Sequence, residues 1–68
     1  MNNMITFFQP SKRNLLNEIE NLYDEIFAIE RQIANESDRI RLRYLRRQHE
    51  IKIAIRSQKQ AQASRMIF

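Results

Sequence analysis

The chain has 68 residues, no cysteine, no glycine and one proline, and its formal net charge is +4. A chain of this length buries only about 60% of its unfolded surface when it folds alone, and the lack of cysteine excludes disulfides and thiol chemistry. We therefore expect a homodimer. Because no apolar run reaches the length of a membrane span and no secretory signal is visible, we expect a cytoplasmic protein without a membrane partner.

Residues 1–10 are expected to form an N-terminal apolar arm. Its apolar part, residues 4–8, ends with Phe7-Phe8 and is closed by Pro10. The arm is expected either to pack over one end of the protein or to insert into another protein. Ser11 follows as a typical N-cap residue, whose side chain accepts a hydrogen bond from a first-turn amide.

Helix 1, expected over about residues 11–34, carries a ladder of large aliphatic side chains. The ladder consists of Leu15, Ile19, Leu22, Ile26, Ile29 and Ile33. Spacings that alternate between four and three residues place these side chains on one helical face, which needs a partner helix. Leu16, Tyr23 and Phe27 widen the apolar face to roughly 160° at about 100° per residue. A face this broad predicts at least two neighbouring helices.

Residues 35–38 are the expected turn. Asn35 tolerates the left-handed conformation that often ends a helix, and Ser37 or Asp38 can cap the helix that follows. The alternative is one long continuous helix in a coiled coil, because the segment lacks glycine and proline. The hairpin is favoured because folding the chain back brings apolar residues together. The expected pairs are Ile33 with Ile40, Ile29 with Tyr44, Leu22 with Ile51, and Ile19 with Ile55.

Helix 2, expected over about residues 38–63 and followed by a tail at 64–68, carries a second apolar stripe. A single hairpin is expected to leave this stripe bare, and exposed apolar surface of this kind usually marks an interface. We therefore predict an all-α antiparallel hairpin that dimerises into a four-helix bundle. The expected oligomer interface consists of Leu16, Tyr23, Phe27, Leu42, Leu45, His49 and Ile53.

No catalytic constellation is visible in the sequence. There is no nucleophile beside a base, no spacing typical of metal ligands and no glycine-rich loop, so we expect no enzyme, no cofactor, no metal and no small-molecule substrate. His49, on an apolar stripe, is interpreted as an interface histidine. The carboxylates of helix 1 are expected to pair with arginines of helix 2, with Glu30 near Arg43 and Glu18 near Arg56.

The strongest functional pattern is a run of five arginines within residues 39–47. Residues 1–36 carry three basic and six acidic side chains, a balance of −3, whereas residues 37–68 carry nine basic and two acidic ones, a balance of +7. Arginines at i, i+4 repel one another unless an anion lies between them. The predicted nucleic-acid contacts, to RNA or DNA phosphates, are Arg39, Arg41, Arg43, Arg46, Arg47 and Lys52.

The sequence thus favours a non-enzymatic regulatory dimer that binds nucleic acid through an arginine-rich helix. At the level of fold this architecture is similar to small dimeric helical hairpins such as the Rop-type RNA-binding regulators, although no diagnostic motif matches. The alternative is a protein–protein interaction module, an inhibitor or adaptor encoded by a phage, virus or plasmid. Such a module would use the apolar stripe or the N-terminal arm.

Overall fold

A computed structural model describes residues 11–66, which form two α-helices packed side by side in opposite directions. Helix α1 spans Lys12–Asn35 and helix α2 spans Arg39–Ser64, and no strand occurs in the described part of the chain. The expected all-helical hairpin is confirmed, and the alternative of one continuous helix is wrong. The expected arm at residues 1–10 and the last two residues of the expected tail lie outside the described residues.

Side-chain oxygens cap the start of both helices. The Ser11 hydroxyl accepts a hydrogen bond from the Asn14 amide at 3.1 Å, and the Asp38 carboxylate accepts one from the Ile40 amide at 3.0 Å. Each bond satisfies a first-turn amide that lacks a partner within its helix. Asp38 also places a negative charge at the positive end of the α2 dipole. These caps set the points at which α1 and α2 begin.

The turn between the helices is organised by Glu36. Its backbone is extended, and its carboxylate accepts a hydrogen bond from the Asp38 amide at 3.1 Å and pairs with Arg41 at 3.3 Å. Asn35 ends α1, and its side-chain amide donates to the Arg31 carbonyl at 2.9 Å. No residue between 11 and 66 has a positive φ, so the left-handed conformation expected at Asn35 is wrong. The Glu36 carboxylate stabilises a chain reversal of the kind that in many proteins depends on a glycine with positive φ.

The ladder of α1 faces α2 and forms most of the core. Four of its members are buried, and Ile29 and Ile33, nearer the turn, are half-buried. Helix α2 contributes two buried side chains, Leu45 and Ala63. At the open end of the hairpin, Ala63 packs with the first two rungs of the ladder, and Met66 covers them. The core is therefore a narrow strip between two helices, as expected for a chain this short.

The face of α2 that packs on α1 differs from the predicted one. Ile40, Tyr44 and Ile51 were expected to close the hairpin, but their exposed fractions are 77%, 57% and 38%. Leu45, expected in the dimer interface, is only 3% exposed and packs inside the hairpin. The predicted pairs that use Ile40, Tyr44 and Ile51 are therefore wrong, whereas Ile55, the predicted partner of Ile19, is half-buried. We call Ile40, Tyr44 and Ile51 the outer stripe.

The face that does pack, which we call the seam, continues at spacings of four and three residues to the end of α2. It consists of Leu45, His49, Lys52, Arg56, Lys59, Ala63 and Met66, all of them buried or half-buried. The face that carries the outer stripe, in contrast, continues towards the end of α2 with Ile55, Gln58 and Gln62. Packing that stripe on α1 would press these amides against the apolar start of the ladder, at a desolvation cost. The seam brings Ala63 there instead.

The ion pairs across the hairpin also differ from those predicted. Glu30 approaches His49, with 2.9 Å between Oε2 and Nε2, and not Arg43. Glu18 pairs with Lys59 at 2.7 Å, and not with Arg56. Both partners of α2 lie further along the chain than expected, because the seam and not the outer stripe faces α1.

Candidate nucleic-acid interface

Two of the six predicted phosphate contacts are engaged within the hairpin. Lys52 pairs with Glu25 at 2.8 Å, and Arg41 pairs with Glu36 at 3.3 Å. The Lys52 side chain is 32% exposed, since its aliphatic stem lies along the seam. These two cations join α2 to α1 and to the turn, which leaves them poorly placed to hold an external anion.

Arg56, in the middle of the seam, is also a structural residue. Its guanidinium lies 4.5 Å from the centre of the Tyr23 ring, a cation–π contact. The Arg56 Nε is buried and has no hydrogen-bond partner. Gln60, one turn further on, donates a hydrogen bond from Nε2 to the Tyr23 hydroxyl at 3.1 Å. Tyr23 is thus fixed by α2 at its ring face and at its hydroxyl.

The other predicted arginines converge on one place. Arg39, Arg43 and Arg46 line a single shallow depression on α2, together with Leu42. All three are exposed, and within residues 11–66 none of them forms an ion pair. They lie in the first turns of α2, on the side facing away from the seam. The structure therefore brings together three cations without an acidic partner.

Arg47 continues this surface. Its side chain is 72% exposed, and its one ion pair, with Glu50 in the next turn, is 3.7 Å long. Exposed pairs of this kind contribute about 0.2–1 kcal/mol at most and release easily. Arg47 can therefore turn towards an external anion. We call Arg39, Arg43, Arg46 and Arg47 the arginine ridge.

The electrostatics of the arginine ridge favour a bound anion. Arginines one turn apart on a helix repel each other by a few tenths of a kcal/mol per pair, roughly 0.2–0.5. Cations in the first turns of a helix also oppose its dipole, whose positive end can instead attract an anion. A phosphate in the depression would relieve both effects, because guanidinium groups bind phosphate oxygens through paired hydrogen bonds.

The sequence pattern identified the arginines of this surface but missed Leu42 as part of it. The sequence places Leu42 in the oligomer interface because it shares a stripe with Leu45. It lies three residues after Arg39 and four before Arg46, so helical spacing alone places it between them. In the structure Leu42 is half-buried and lines the depression.

The predicted interface residues of α1 are exposed along one side of the hairpin. Leu16, Tyr23 and Phe27 have exposed fractions of 50%, 50% and 60%, and we call them the α1 flank. Leu16 borders an apolar groove between the start of α1 and the end of α2, with Ile19 and Ala63 among its other lining residues. On the α2 side, Ile53 and His49 are half-buried. The α1 flank is therefore more exposed than the predicted interface residues Ile53 and His49 of α2.

Within residues 11–66, no three acidic or histidine side chains are grouped as a metal site would require. No helix in the same range combines the length and the apolar character needed to cross a membrane. Comparison of the chain with protein-family models, with curated proteins and with solved structures gives no match.

Proposed function

We propose that this chain is a non-enzymatic regulatory protein that binds the phosphates of nucleic acid through the arginine ridge. The observation that carries the proposal is the depression lined by Arg39, Arg43 and Arg46, none of which forms an ion pair in the described part of the chain. Three acids of α1, Glu18, Glu25 and Glu30, contact Lys59, Lys52 and His49 of the seam instead. The basic excess of the second half of the chain is therefore concentrated at one end of α2.

A homodimer completes the proposal. The α1 flank leaves Leu16, Tyr23 and Phe27 at least half exposed, and a short chain gains stability when a second copy covers such a surface. Two hairpins joined along this flank would form a four-helix bundle. The arginine ridge lies in the first turns of α2, nearer the turn than Leu16 and Tyr23. A dimer would then present two ridges, and the second phosphate contact would form intramolecularly with higher effective affinity.

The test is the salt dependence of binding to labelled RNA and DNA, beginning at about 50 mM salt. For B-DNA, each neutralised phosphate contributes about 0.9 to the slope of log K against log salt concentration, and about 0.7 for single strands. The double variant Arg43→Ala/Arg46→Ala should therefore bind more weakly. The magnitude of its slope should be smaller by the contribution of about two phosphate contacts.

The matched control is Arg13→Ala/Arg65→Ala, which removes the same charge at the open end of the hairpin, away from the arginine ridge. It should leave most of the affinity and the slope in place. Absence of binding to any RNA or DNA at the lowest salt would overturn the proposal. Equal losses in the two double variants would show that net charge matters and the ridge does not.

A further inference from the structure

Tyr44 is the one aromatic side chain within residues 11–66 that has no partner. The Tyr23 ring lies under Arg56 and its hydroxyl is engaged by Gln60, while the Phe27 ring has the Arg31 guanidinium 6.0 Å from its centre. Among the described residues Tyr44 has neither a ring contact nor a hydrogen bond, and it is 57% exposed. Both its ring and its hydroxyl are free to meet a ligand.

Tyr44 borders the arginine ridge. It lies three residues before Arg47, and side chains three apart on a helix are about 5–6 Å from each other at Cβ, whereas the preceding Arg43 points about 100° away around the helix. The tyrosine ring is therefore the neighbour of one ridge arginine, Arg47. A phosphate held by Arg47 would leave the attached nucleotide beside the ring.

We propose that Tyr44 stacks on an unpaired base, so that the ligand class is single-stranded or looped nucleic acid and not a regular duplex. This inference rests on the proposed function, because the arginine ridge must first hold the phosphates. Bases in a duplex are stacked on each other and offer only their edges to a protein. Bases in loops, bulges and single strands offer their faces, which aromatic side chains stack on.

The competing occupant of this surface is an apolar peptide. Ile40 and Ile51 share the outer stripe with Tyr44, and Ile40 is the most exposed large apolar side chain in the described residues, at 77%. A peptide would bury Ile40 together with Tyr44, because hydrophobic contact depends on the apolar area that is buried and does not require an aromatic ring. A stacked base needs the ring. Variants of these two residues therefore separate the two occupants.

The experiment measures binding of the full chain to a labelled single-stranded oligonucleotide and to the duplex of the same sequence, at one salt concentration. Tyr44→Leu should weaken single-strand binding by about tenfold, within the range measured for loss of one base–aromatic stack. Tyr44→Phe should bind the single strand about as tightly as the unchanged chain does, because phenylalanine keeps the aromatic ring. Ile40→Ala, the matched control, should bind the single strand as the unchanged chain does, and no variant should alter duplex binding much.

A spectroscopic measurement reports the same contact directly. The chain has no tryptophan and two tyrosines, so Tyr23→Phe leaves Tyr44 as the only tyrosine. Its fluorescence should be quenched by the single strand and little changed by the duplex.

Three results would overturn the inference. If Tyr44→Leu binds the single strand like the unchanged chain, or if Tyr44 fluorescence is equally quenched by the duplex, the ring does not select unpaired bases. If Ile40→Ala weakens binding as much as Tyr44→Leu and Tyr44→Phe does not restore it, the contact is general apolar contact. In these cases salt-dependent binding through the arginine ridge would still hold. Loss of all binding by the unchanged chain would overturn the proposed function as well.

Discussion

At the scale of single residues, polar side chains cap the helices and stabilise the turn between them. Ser11 makes the hydrogen bond expected of an N-cap, and of the two candidates Ser37 and Asp38 it is Asp38 that caps α2. The role of Glu36 could not be predicted in the same way, because its carboxylate meets Asp38 and Arg41 only once the turn has formed. Local patterns therefore predict caps well, whereas contacts formed across a turn depend on its final geometry.

Removing the α2 cap should lower stability by a measurable amount. We expect Asp38→Ala to reduce the free energy of unfolding by about 1 kcal/mol, since the Ile40 amide loses its acceptor. Asp38→Asn should keep most of the stability because asparagine caps almost as well. Urea unfolding followed by circular dichroism, at one protein concentration, measures both variants.

The neighbouring Ser37, exposed and outside both helices, provides the control for the capping variant. Ser37→Ala should change the free energy of unfolding by less than about 0.5 kcal/mol, as is usual for surface substitutions. A larger loss at Ser37 than at Asp38 would contradict the assignment of the cap.

At the scale of elements, the helices were predictable and the packing face of α2 was not. The ladder of α1 is apolar throughout, so its periodicity indicates its buried face without ambiguity. The seam of α2 contains His49, Lys52, Arg56 and Lys59, which a count of apolar residues treats as surface. The aliphatic stems of Lys52, Arg56 and Lys59 lie along the seam, while their charged ends reach α1 acids or the Tyr23 ring. The outer stripe is more apolar, so a count of apolar residues favours it as the packing face.

Two adjacent substitutions distinguish the observed packing of α2 from the predicted one. Leu45→Ala should cost about 2–5 kcal/mol of stability, since it leaves a cavity where a 3% exposed side chain was. Tyr44→Ala should change stability by less than about 0.5 kcal/mol, because that side chain is exposed. Urea unfolding provides the comparison.

The opposite order of losses would restore the predicted packing, with Tyr44 facing α1. If Leu45→Ala prevents folding altogether, the milder Leu45→Val keeps the comparison measurable. Its loss should still exceed that of Tyr44→Ala.

At the scale of the whole molecule, the sequence predicted the hairpin because only one segment could reverse the chain. Dimerisation stays a prediction, drawn from the small size of the core and from the exposed α1 flank. The arginine ridge was also visible in the sequence, but which of its cations are free was not. That distinction depends on which acids of α1 reach which cations of α2, and so on the packing face.

The dimer prediction can be tested by sedimentation equilibrium over a range of protein concentrations. The unchanged chain should show the mass of two copies, and Phe27→Asp should shift it towards one copy, because a carboxylate in an apolar interface must be desolvated. Ile40→Asp, which introduces the same charge on the outer stripe, should leave the mass unchanged. A single-copy mass for the unchanged chain at all concentrations would exclude the dimer.

The short turn at residues 36–38 has a further consequence. Helix α2 has two faces that could pack on α1, the seam and the outer stripe, which are separated by roughly one residue's rotation, about 100° in an α-helix. One added residue in the turn would rotate α2 by that angle and direct Ile40, Tyr44 and Ile51 towards α1. The number of residues in the turn, as much as the composition of either face, thus selects between two competing cores. The length of the turn therefore sets which face of α2 packs on α1, and a longer turn would bury the outer stripe and expose the seam.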